Sequence, residues 1–219
     1  MEIRLATPVL QTDSIVDGEG IRAVLWTQGC DHKCPGCHNP QTHSFDSGFI
    51  LDVNEVKKQI DDLEGQDGIT FSGGDPLYQT EACLEIAKHA KEKKMNVWCY
   101  TGFTFETLLM MKNKNPKIEE FLKTIDVLID GPFILEKKSY DCIFRGSTNQ
   151  RIIDSKKSIK EEKVVLIDKY YATLKKKNNK DRIYVWSLFF FIRMFIIILK
   201  YYIVIISVLC YYKLYVIRK

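Results

Sequence analysis

Short apolar segments alternate with longer amphipathic segments from residue 20 to about residue 168. The apolar segments are bounded by turn residues, a pattern typical of buried strands. These predicted strands are Ile21–Thr27, Gly68–Ser72, Met95–Tyr100, Ile125–Ile129 and Val164–Ile167. Periodic apolar positions between them predict helices. These predicted helices are Val53–Leu63, Thr80–Lys93, Thr104–Lys112 and Lys117–Lys123. We expect Asp52 and Thr80 to be N-caps, since their side chains can accept a backbone hydrogen bond.

Strands that alternate with helices predict βα units on a parallel sheet, and therefore the α/β class. A complete eight-stranded βα barrel needs about 250 residues. Only about 168 residues carry the alternating pattern here. The pattern therefore predicts an open barrel or a doubly wound sheet.

Residues 169–219 have a different composition and are expected to form a tail outside a domain at 1–168. The tail contains none of the chain's 12 Gly and 6 Pro, but 13 of its 26 aromatic residues. Residues 183–212 are almost wholly apolar, interrupted by Arg193 and Lys200. Those charges leave uncharged runs shorter than the roughly 18–20 residues that span a bilayer. Three interpretations stay open: an extension without selected structure, a membrane anchor and an interaction helix.

The charge is as unevenly distributed as the composition. The net charge of +4 combines −6 for residues 1–168, with 21 basic and 27 acidic side chains, and +10 for the tail. The acidic balance of the domain argues against nucleic acid as its partner. The first ten residues lack the apolar core of a secretory signal, so we expect a cytoplasmic protein, with membrane association possible only through residues 183–212.

Three of the seven cysteines are clustered directly after the first predicted strand. They are Cys30, Cys34 and Cys37, in the sequence CDHKCPGC. An odd number of cysteines with this clustering favours metal binding in a reducing compartment over a disulfide framework. Thiolates suit zinc or an iron–sulfur cluster. A zinc site needs a fourth ligand, for which His32, His38 and His43 are near in sequence, whereas three thiolates on a [4Fe–4S] cluster leave one iron free for a small molecule.

A second candidate motif, Gly73-Gly74-Asp75-Pro76, follows the next strand. Paired glycines let the backbone approach a ligand closely, and a carboxylate can accept hydrogen bonds from a cationic amino group. A plain strand-to-helix turn would explain the same residues. The position of the Gly-Gly-Asp-Pro motif, after the cysteine cluster in a βα chain, fits a further element of the same site.

The cysteine spacing with the following GGDP resembles the radical S-adenosylmethionine enzymes. More narrowly, six sequence blocks within residues 10–168 resemble the glycyl-radical-enzyme activases that serve anaerobic ribonucleoside-triphosphate reductases. These blocks are DGEGIR (Asp17–Arg22), QGCDHKCPGCHNP (Gln28–Pro40), FSGGDPL (Phe71–Leu77), CYTGFTFE (Cys99–Glu106), IDVLIDGPF (Ile125–Phe133) and FRGSTNQRIID (Phe144–Asp154).

The resemblance implies an incomplete TIM-like βα barrel in which the three cysteines bind a [4Fe–4S] cluster. It further implies that the reduced cluster cleaves S-adenosylmethionine and that the resulting 5′-deoxyadenosyl radical takes a hydrogen from a backbone glycine of the large reductase subunit. A reductant such as flavodoxin or ferredoxin would supply the electron, and no catalytic side chain is expected. The alternatives are a formate-lyase type activase and a non-enzymatic zinc or iron–sulfur module.

The resemblance also implies roles for individual residues. Gly73, Gly74 and Asp75 would meet the amino group of the cofactor, and Asp130 its ribose hydroxyl or sulfonium side, although a turn residue is the alternative for Asp130. Arg145, Ser147 and Asn149 are candidates for contact with the cofactor or the partner, with a structural loop as the alternative. We expect Asp17, Glu19 and Arg22 to order the cysteine loop, and Trp26 and Tyr100 to pack in the core or against the cofactor. His38 and Asn39 would support the last cysteine ligand, with polar loop residues as the alternative.

Overall fold

The described part of the chain, residues 1–171, forms eight strands and five α-helices in a computed structural model. The strands are β1 (Glu2–Leu5), β2 (Gln11–Ser14), β3 (Arg22–Thr27), β4 (Phe49–Asp52), β5 (Gly68–Gly73), β6 (Asn96–Tyr100), β7 (Val127–Asp130) and β8 (Arg151–Asp154). The helices are α1 (Val53–Asp61), α2 (Thr80–Glu92), α3 (Phe105–Met111), α4 (Pro116–Thr124) and α5 (Ser155–Glu161).

All eight strands belong to one sheet. Seven follow one another in the order β4-β1-β3-β5-β6-β7-β8, and β2 pairs with β3. The strands β3, β5, β6 and β7 are parallel neighbours in the sheet and follow one another there in the same order as along the chain. The other pairings are antiparallel. The predicted α/β class is therefore confirmed, and four predicted strands match the parallel strands to within two residues.

The fifth predicted strand, Val164–Ile167, is wrong. This segment forms only an isolated antiparallel bridge between Ile153 and Leu166. The last strand is instead β8, which turns antiparallel to β7. The sequence pattern also missed the short antiparallel strands β1, β2 and β4, because four residues are too few to establish a strand periodicity.

The four predicted helices are confirmed, and α5 was not predicted. Asp52 caps α1 as expected, because its carboxylate accepts a hydrogen bond from the Asn54 amide at 2.8 Å. The predicted cap at Thr80 is wrong. Gln79 occupies the N-cap of α2, and the Thr80 hydroxyl donates to the Leu77 carbonyl of the preceding 3-10 turn at 2.6 Å.

Alternating residues of the parallel strands face two different environments. One set packs against the helices in a continuous hydrophobic cluster and is completely buried; it includes Leu25, Phe71, Cys99 and Leu128. The Phe71 ring meets Phe121 of α4 edge-on at 5.7 Å. Each such buried Leu or Phe side chain contributes about 1.5–3 kcal/mol, so this face holds the helices on the sheet.

The opposite face of the same strands carries polar and aromatic side chains. Trp26, Ser72 and Tyr100 lie there near the carboxyl ends of their strands. Near the amino ends lies Arg22, which is fully buried and donates to the Thr70 hydroxyl at 2.6 Å and to the Ile69 carbonyl at 2.7 Å. Its guanidinium lies 5.2 Å above the Trp98 ring. Burial lowers the pKa of Arg22 to about 10, so it stays charged at neutral pH.

The compact unit extends from Met1 to Tyr170. Tyr170 is 6% exposed, packs edge-on against Trp98 and Phe144 at 5.6 Å each, and donates from its hydroxyl to the Glu19 carboxylate at 2.7 Å. The domain boundary predicted after residue 168 thus falls just before this packed side chain. The rest of the predicted tail, including residues 183–212, lies outside the described residues. No helix within residues 1–171 is long and apolar enough to cross a membrane.

We expect Tyr170→Ala in the full chain to lower the free energy of unfolding by about 3 kcal/mol, because it opens a cavity beside Trp98 and Phe144. Urea unfolding followed by circular dichroism measures the change. Tyr140→Ala is the matched control, since Tyr140 is 91% exposed and its loss should change the stability by less than about 0.5 kcal/mol. Equal midpoints for the two variants would contradict this packing role.

Candidate functional site

A cavity of about 560 Å³ lies at the carboxyl ends of the parallel strands. The loops that follow β3, β5, β6 and β7 contribute to its wall. Because parallel strands end at the same edge of a sheet, residues far apart in sequence meet here. Ile15 and Val16 also line the cavity and are 71% and 69% exposed, so the cavity opens to solvent on their side.

The three clustered cysteines all line this cavity. Cys30, Cys34 and Cys37 are half-buried free thiols. Between them, the Cys37 amide donates to the Cys34 carbonyl at 3.1 Å, which closes a turn that includes Gly36 at a φ of +71°. The structure therefore brings together the three side chains that the sequence singled out.

The cysteine loop is held at its base by backbone and side-chain hydrogen bonds. The amides of Gly29 and Cys30 donate to the carbonyls of Thr42 and His43 at 2.8 and 3.0 Å. The buried Gln28 side chain donates to the Ser44 carbonyl at 2.7 Å, and to further acceptors in the same returning segment. These bonds fix where the loop leaves β3 and where it returns.

Burial shifts the thiols of Cys30 and Cys34 toward their neutral form. It raises the pKa of Cys30 to about 11 and raises the pKa of Cys34 above its usual value. Nearby carboxylate charge from Asp75 acts in the same direction. Ligation of a metal as thiolate therefore releases protons from both side chains.

The three histidines considered as a fourth zinc ligand also line the cavity, but two have other partners. The His32 Nε2 lies 2.6 Å from the Asp75 carboxylate, and the His38 ring packs against Phe133 at 4.8 Å. Among residues 1–171, no group of three or more His, Cys, Asp or Glu side chains is arranged as the ligands of a single metal ion.

The Gly-Gly-Asp motif is divided between the cavity wall and the layer behind it. Gly73 and Gly74 line the cavity. A Cβ at Gly73 would overlap the backbone of Thr27, and a Cβ at Gly74 would overlap the backbone of Gly29, so larger residues do not fit against the end of β3. Asp75 is fully buried and is not part of the lining.

Asp130 also lies behind the wall and is fully buried. Its carboxylate accepts a hydrogen bond from the Phe105 amide at 2.7 Å and from Arg151 Nε at 2.9 Å. Arg151 also donates to both carboxylate oxygens of Glu106, at 2.9 and 2.8 Å. This network joins the end of β7, the start of α3 and β8, since its members come from all three elements.

The loop between β7 and β8 supplies a further part of the wall. Arg145 lines the cavity and donates from Nη1 to the Gln150 carbonyl at 3.0 Å. Ser147 accepts from the Ile134 amide at 3.3 Å, and Asn149 donates to the Pro132 carbonyl at 2.8 Å. The Oδ1 of Asn149 is buried and has no hydrogen-bond partner among the described residues.

Sequence reasoning assigned no role to Thr101 or Gln150, which line the same cavity. Gln150 accepts from the amides of Gly146 and Ser147 at 2.9 and 3.2 Å and so holds the Arg145 loop. Both residues lie within the sequence blocks that carry the family resemblance, and that position is the signal that could have identified them.

The expectation that Asp17, Glu19 and Arg22 order the cysteine loop is corrected for two of the three. Arg22 begins β3, about 17 Å from the cysteine end of that strand at ~3.3 Å per residue. Glu19 binds Lys169 and Tyr170 instead. Asp17 lines the cavity.

The donor set fits an iron–sulfur cluster with an additional small ligand. Three soft thiol donors suit iron–sulfur ligation, and they surround a cavity whose glycine-lined wall leaves backbone accessible. Tyr100, Phe133 and Phe144 add aromatic surface to the lining. The cavity thus combines ligands for a metal cluster with room for an amphipathic cofactor.

Comparison with known proteins connects this geometry to a family. A family model described as a 4Fe-4S single cluster domain matches residues 16–153. The anaerobic ribonucleoside-triphosphate reductase-activating protein of Haemophilus influenzae is 35% identical over 146 residues, covering 63% of this chain and 90% of the relative. The protein of the same name from Enterobacteria phage T4 is 35% identical, with 63% of this chain and 86% of the relative covered. That from Escherichia coli (strain K12) is 33% identical, with 62% of this chain and 90% of the relative covered.

The Arg151 network predicts a pH-dependent contribution to stability. The hydrogen bond from Arg151 lowers the pKa of Glu106 to about 2, against an ordinary value of 4.5. Because the folded pKa is depressed, the contribution is complete above pH 4.5 and is lost as the pH falls toward about 2. We expect Glu106→Gln to reduce the free energy of unfolding by less than about 1 kcal/mol above pH 4.5, since Glu106 is 59% exposed, and by progressively less below it.

Urea titrations of both proteins at several pH values measure this difference. Glu64→Gln, which changes an exposed carboxylate outside the network, serves as the control. A difference between wild type and Glu106→Gln that stays constant over the acidic range would show that the ion pair does not act through the Glu106 charge.

Proposed function

The chain belongs to the family of anaerobic ribonucleoside-triphosphate reductase-activating proteins, and we propose that it generates the glycyl radical of such a reductase by reductive cleavage of S-adenosylmethionine at a [4Fe–4S] cluster. The observation that carries the proposal is the convergence of three free thiols and a glycine-lined wall on one cavity. The family match extends over most of each relative, and the matched family model is that of a 4Fe-4S single cluster domain.

Cys30, Cys34 and Cys37 are the residues that would hold the cluster. When bound, the cluster and S-adenosylmethionine supply the one-electron chemistry that produces a hydrogen-abstracting species. The protein's own contribution is to position these groups and to limit water around them. The half-buried thiols and the aromatic lining at Tyr100 and Phe144 support that contribution.

Different parts of the cavity wall suit different parts of the cofactor. Gly73 and Gly74 present backbone to the cavity and are proposed to meet the amino group, while the Arg145 guanidinium suits a carboxylate. Asp75, Asp130 and Asn149 are not part of the described lining, and we propose that they contribute to cofactor binding indirectly, through hydrogen bonds that hold the backbone of the neighbouring loops.

We further propose that the sheet is an incomplete TIM-like barrel of the radical S-adenosylmethionine type. A doubly wound sheet requires a point at which the strand order reverses. The parallel strands β3, β5, β6 and β7 instead keep one direction of order along the sheet. Helices α1, α2, α4 and α5 contact one another in series, which supports their lying on one face. A barrel left incomplete on one side would admit a segment of a large protein substrate.

The proposed protein substrate is the large subunit of the reductase, and the proposed electron source is a reductant such as flavodoxin or ferredoxin. A cytoplasmic location is supported by six free cysteines within the described residues. The formate-lyase type activase is disfavoured because the relatives reported above are named for the reductase. Activation of a formate lyase but not of the reductase would reverse that preference.

We expect Cys34→Ala to abolish both iron–sulfide incorporation and formation of 5′-deoxyadenosine, since one of three cluster ligands is removed. Anaerobic reconstitution, reduction and product analysis measure both quantities. Cys83→Ala is the matched control, because Cys83 is a free cysteine completely buried in the helix-facing core. A colourless, zinc-loaded wild type, or product formation that survives Cys34→Ala, would contradict the proposal and favour the non-enzymatic metal module.

We expect a chain that ends at Tyr171 to retain cluster assembly and S-adenosylmethionine cleavage, because residues 1–150 already supply the three cysteines and the described lining of the cavity. A chain that ends at Asp168 lacks Lys169 and Tyr170 and should be less stable, since both contact Glu19. Iron content, product formation and thermal midpoints compare the two. Loss of the cluster in the chain ending at Tyr171 would assign the tail a part in the site.

A further inference from the structure

The Asp75 carboxylate joins three segments of the cavity behind its wall. It is completely buried. It accepts hydrogen bonds from the Leu77 amide at 2.9 Å, the Thr101 hydroxyl at 2.8 Å and the Gly102 amide at 2.9 Å. The remaining partner, at 2.6 Å, is Nε2 of His32, which lies in the cysteine loop. One carboxylate thereby connects the loops that follow β3, β5 and β6.

His32 stands between Cys30 and Cys34, and its ring is held on more than one side. It meets the Phe103 ring edge-on at 4.5 Å and lies 6.0 Å from the Tyr78 ring. A Cβ at Gly102 would overlap the imidazole, so the glycine leaves the space that the ring occupies. Steric fit and the hydrogen bond to Asp75 therefore define one position for this side chain.

The glycine pair is connected to the same point. Asp75 directly follows Gly73 and Gly74, and its own amide donates to the Gly29 carbonyl at 2.9 Å, next to Cys30. The cysteine loop and the glycine-lined wall are thus linked twice, once through backbone at the base and once through His32 further along the loop. A change in the His32 contact would shift the thiols relative to the wall.

We propose that His32 is a positioning residue that sets the cysteine loop, and with it the cluster, against the wall that receives S-adenosylmethionine. The inference rests on the proposed function. It gives Asp75 the role of anchoring His32, since the described donors already occupy its carboxylate. The three thiolates alone suffice to retain the cluster, whereas His32 determines how well the cofactor reaches it.

The test compares His32→Ala, His32→Gln and His89→Ala in the reconstituted full-length chain. His32→Ala should keep iron and sulfide close to wild type, but need about 10-fold more S-adenosylmethionine to change the electron paramagnetic resonance spectrum of the reduced cluster. His32→Gln places an amide nitrogen near the Nε2 position and should restore much of the affinity. His89→Ala removes a similar contact, His89 to Asp61 at 2.9 Å on the outer helix α2, and should match wild type.

The outcomes separate this inference from the proposed function. If wild type binds iron and cleaves S-adenosylmethionine while His32→Ala gives the wild-type titration curve, the positioning role is overturned and the function stands. If wild type does neither, the proposed function fails. Should His32→Ala fail to fold by circular dichroism, Gly102→Ala provides the measurement, because its Cβ displaces the imidazole without removing it. An unchanged titration in Gly102→Ala would then overturn the inference.

Discussion

The carboxylate of Asp75 lies out of contact with solvent where three loops meet, and its charge is tolerable there only because each loop supplies a donor. A buried carboxylate without such donors costs several kcal/mol. The need for these donors constrains the loops, since none can move away without leaving part of the carboxylate without a hydrogen-bond partner. The cysteine loop is constrained in this way through the contact between His32 and Asp75.

A second buried carboxylate acts in the same way at the end of β7, two strands along the sheet from β5. Asp130 holds Arg151 and the first amide of α3, so the end of β7 is tied to β8 and to a helix. The network adds side-chain hydrogen bonds to the antiparallel pairing of β7 and β8 at the point where the loop of residues 131–150 leaves and returns. Rigid strand ends with buried anchors allow the intervening loops to carry the site.

The division of the strands into two faces explains how one sheet serves both stability and chemistry. Leu25, Phe71 and Leu128 face the helices and make a dry core, while Trp26 and Tyr100 face the cavity. Near the amino ends of the strands, the face that carries Trp26 and Tyr100 is filled by Arg22 and by the aromatic group of Trp98, Phe144 and Tyr170. The chain therefore needs its segment through Tyr170 to complete the inner layer.

The sequence alone was enough to predict the positions of the four parallel strands and of four helices, because apolar periodicity is a local property. It also identified the three clustered cysteines, because ligand spacing is local as well. It also singled out Gly73 and Gly74, which do line the cavity. It could not reveal that Val164–Ile167 forms only a bridge, nor that Asp75 and Asp130 lie behind the wall, since burial depends on what packs across a strand. The His32–Asp75 contact joins residues 43 positions apart. Only the tertiary structure decided that pairing, because a buried carboxylate takes its donors from whichever loops the sheet brings together.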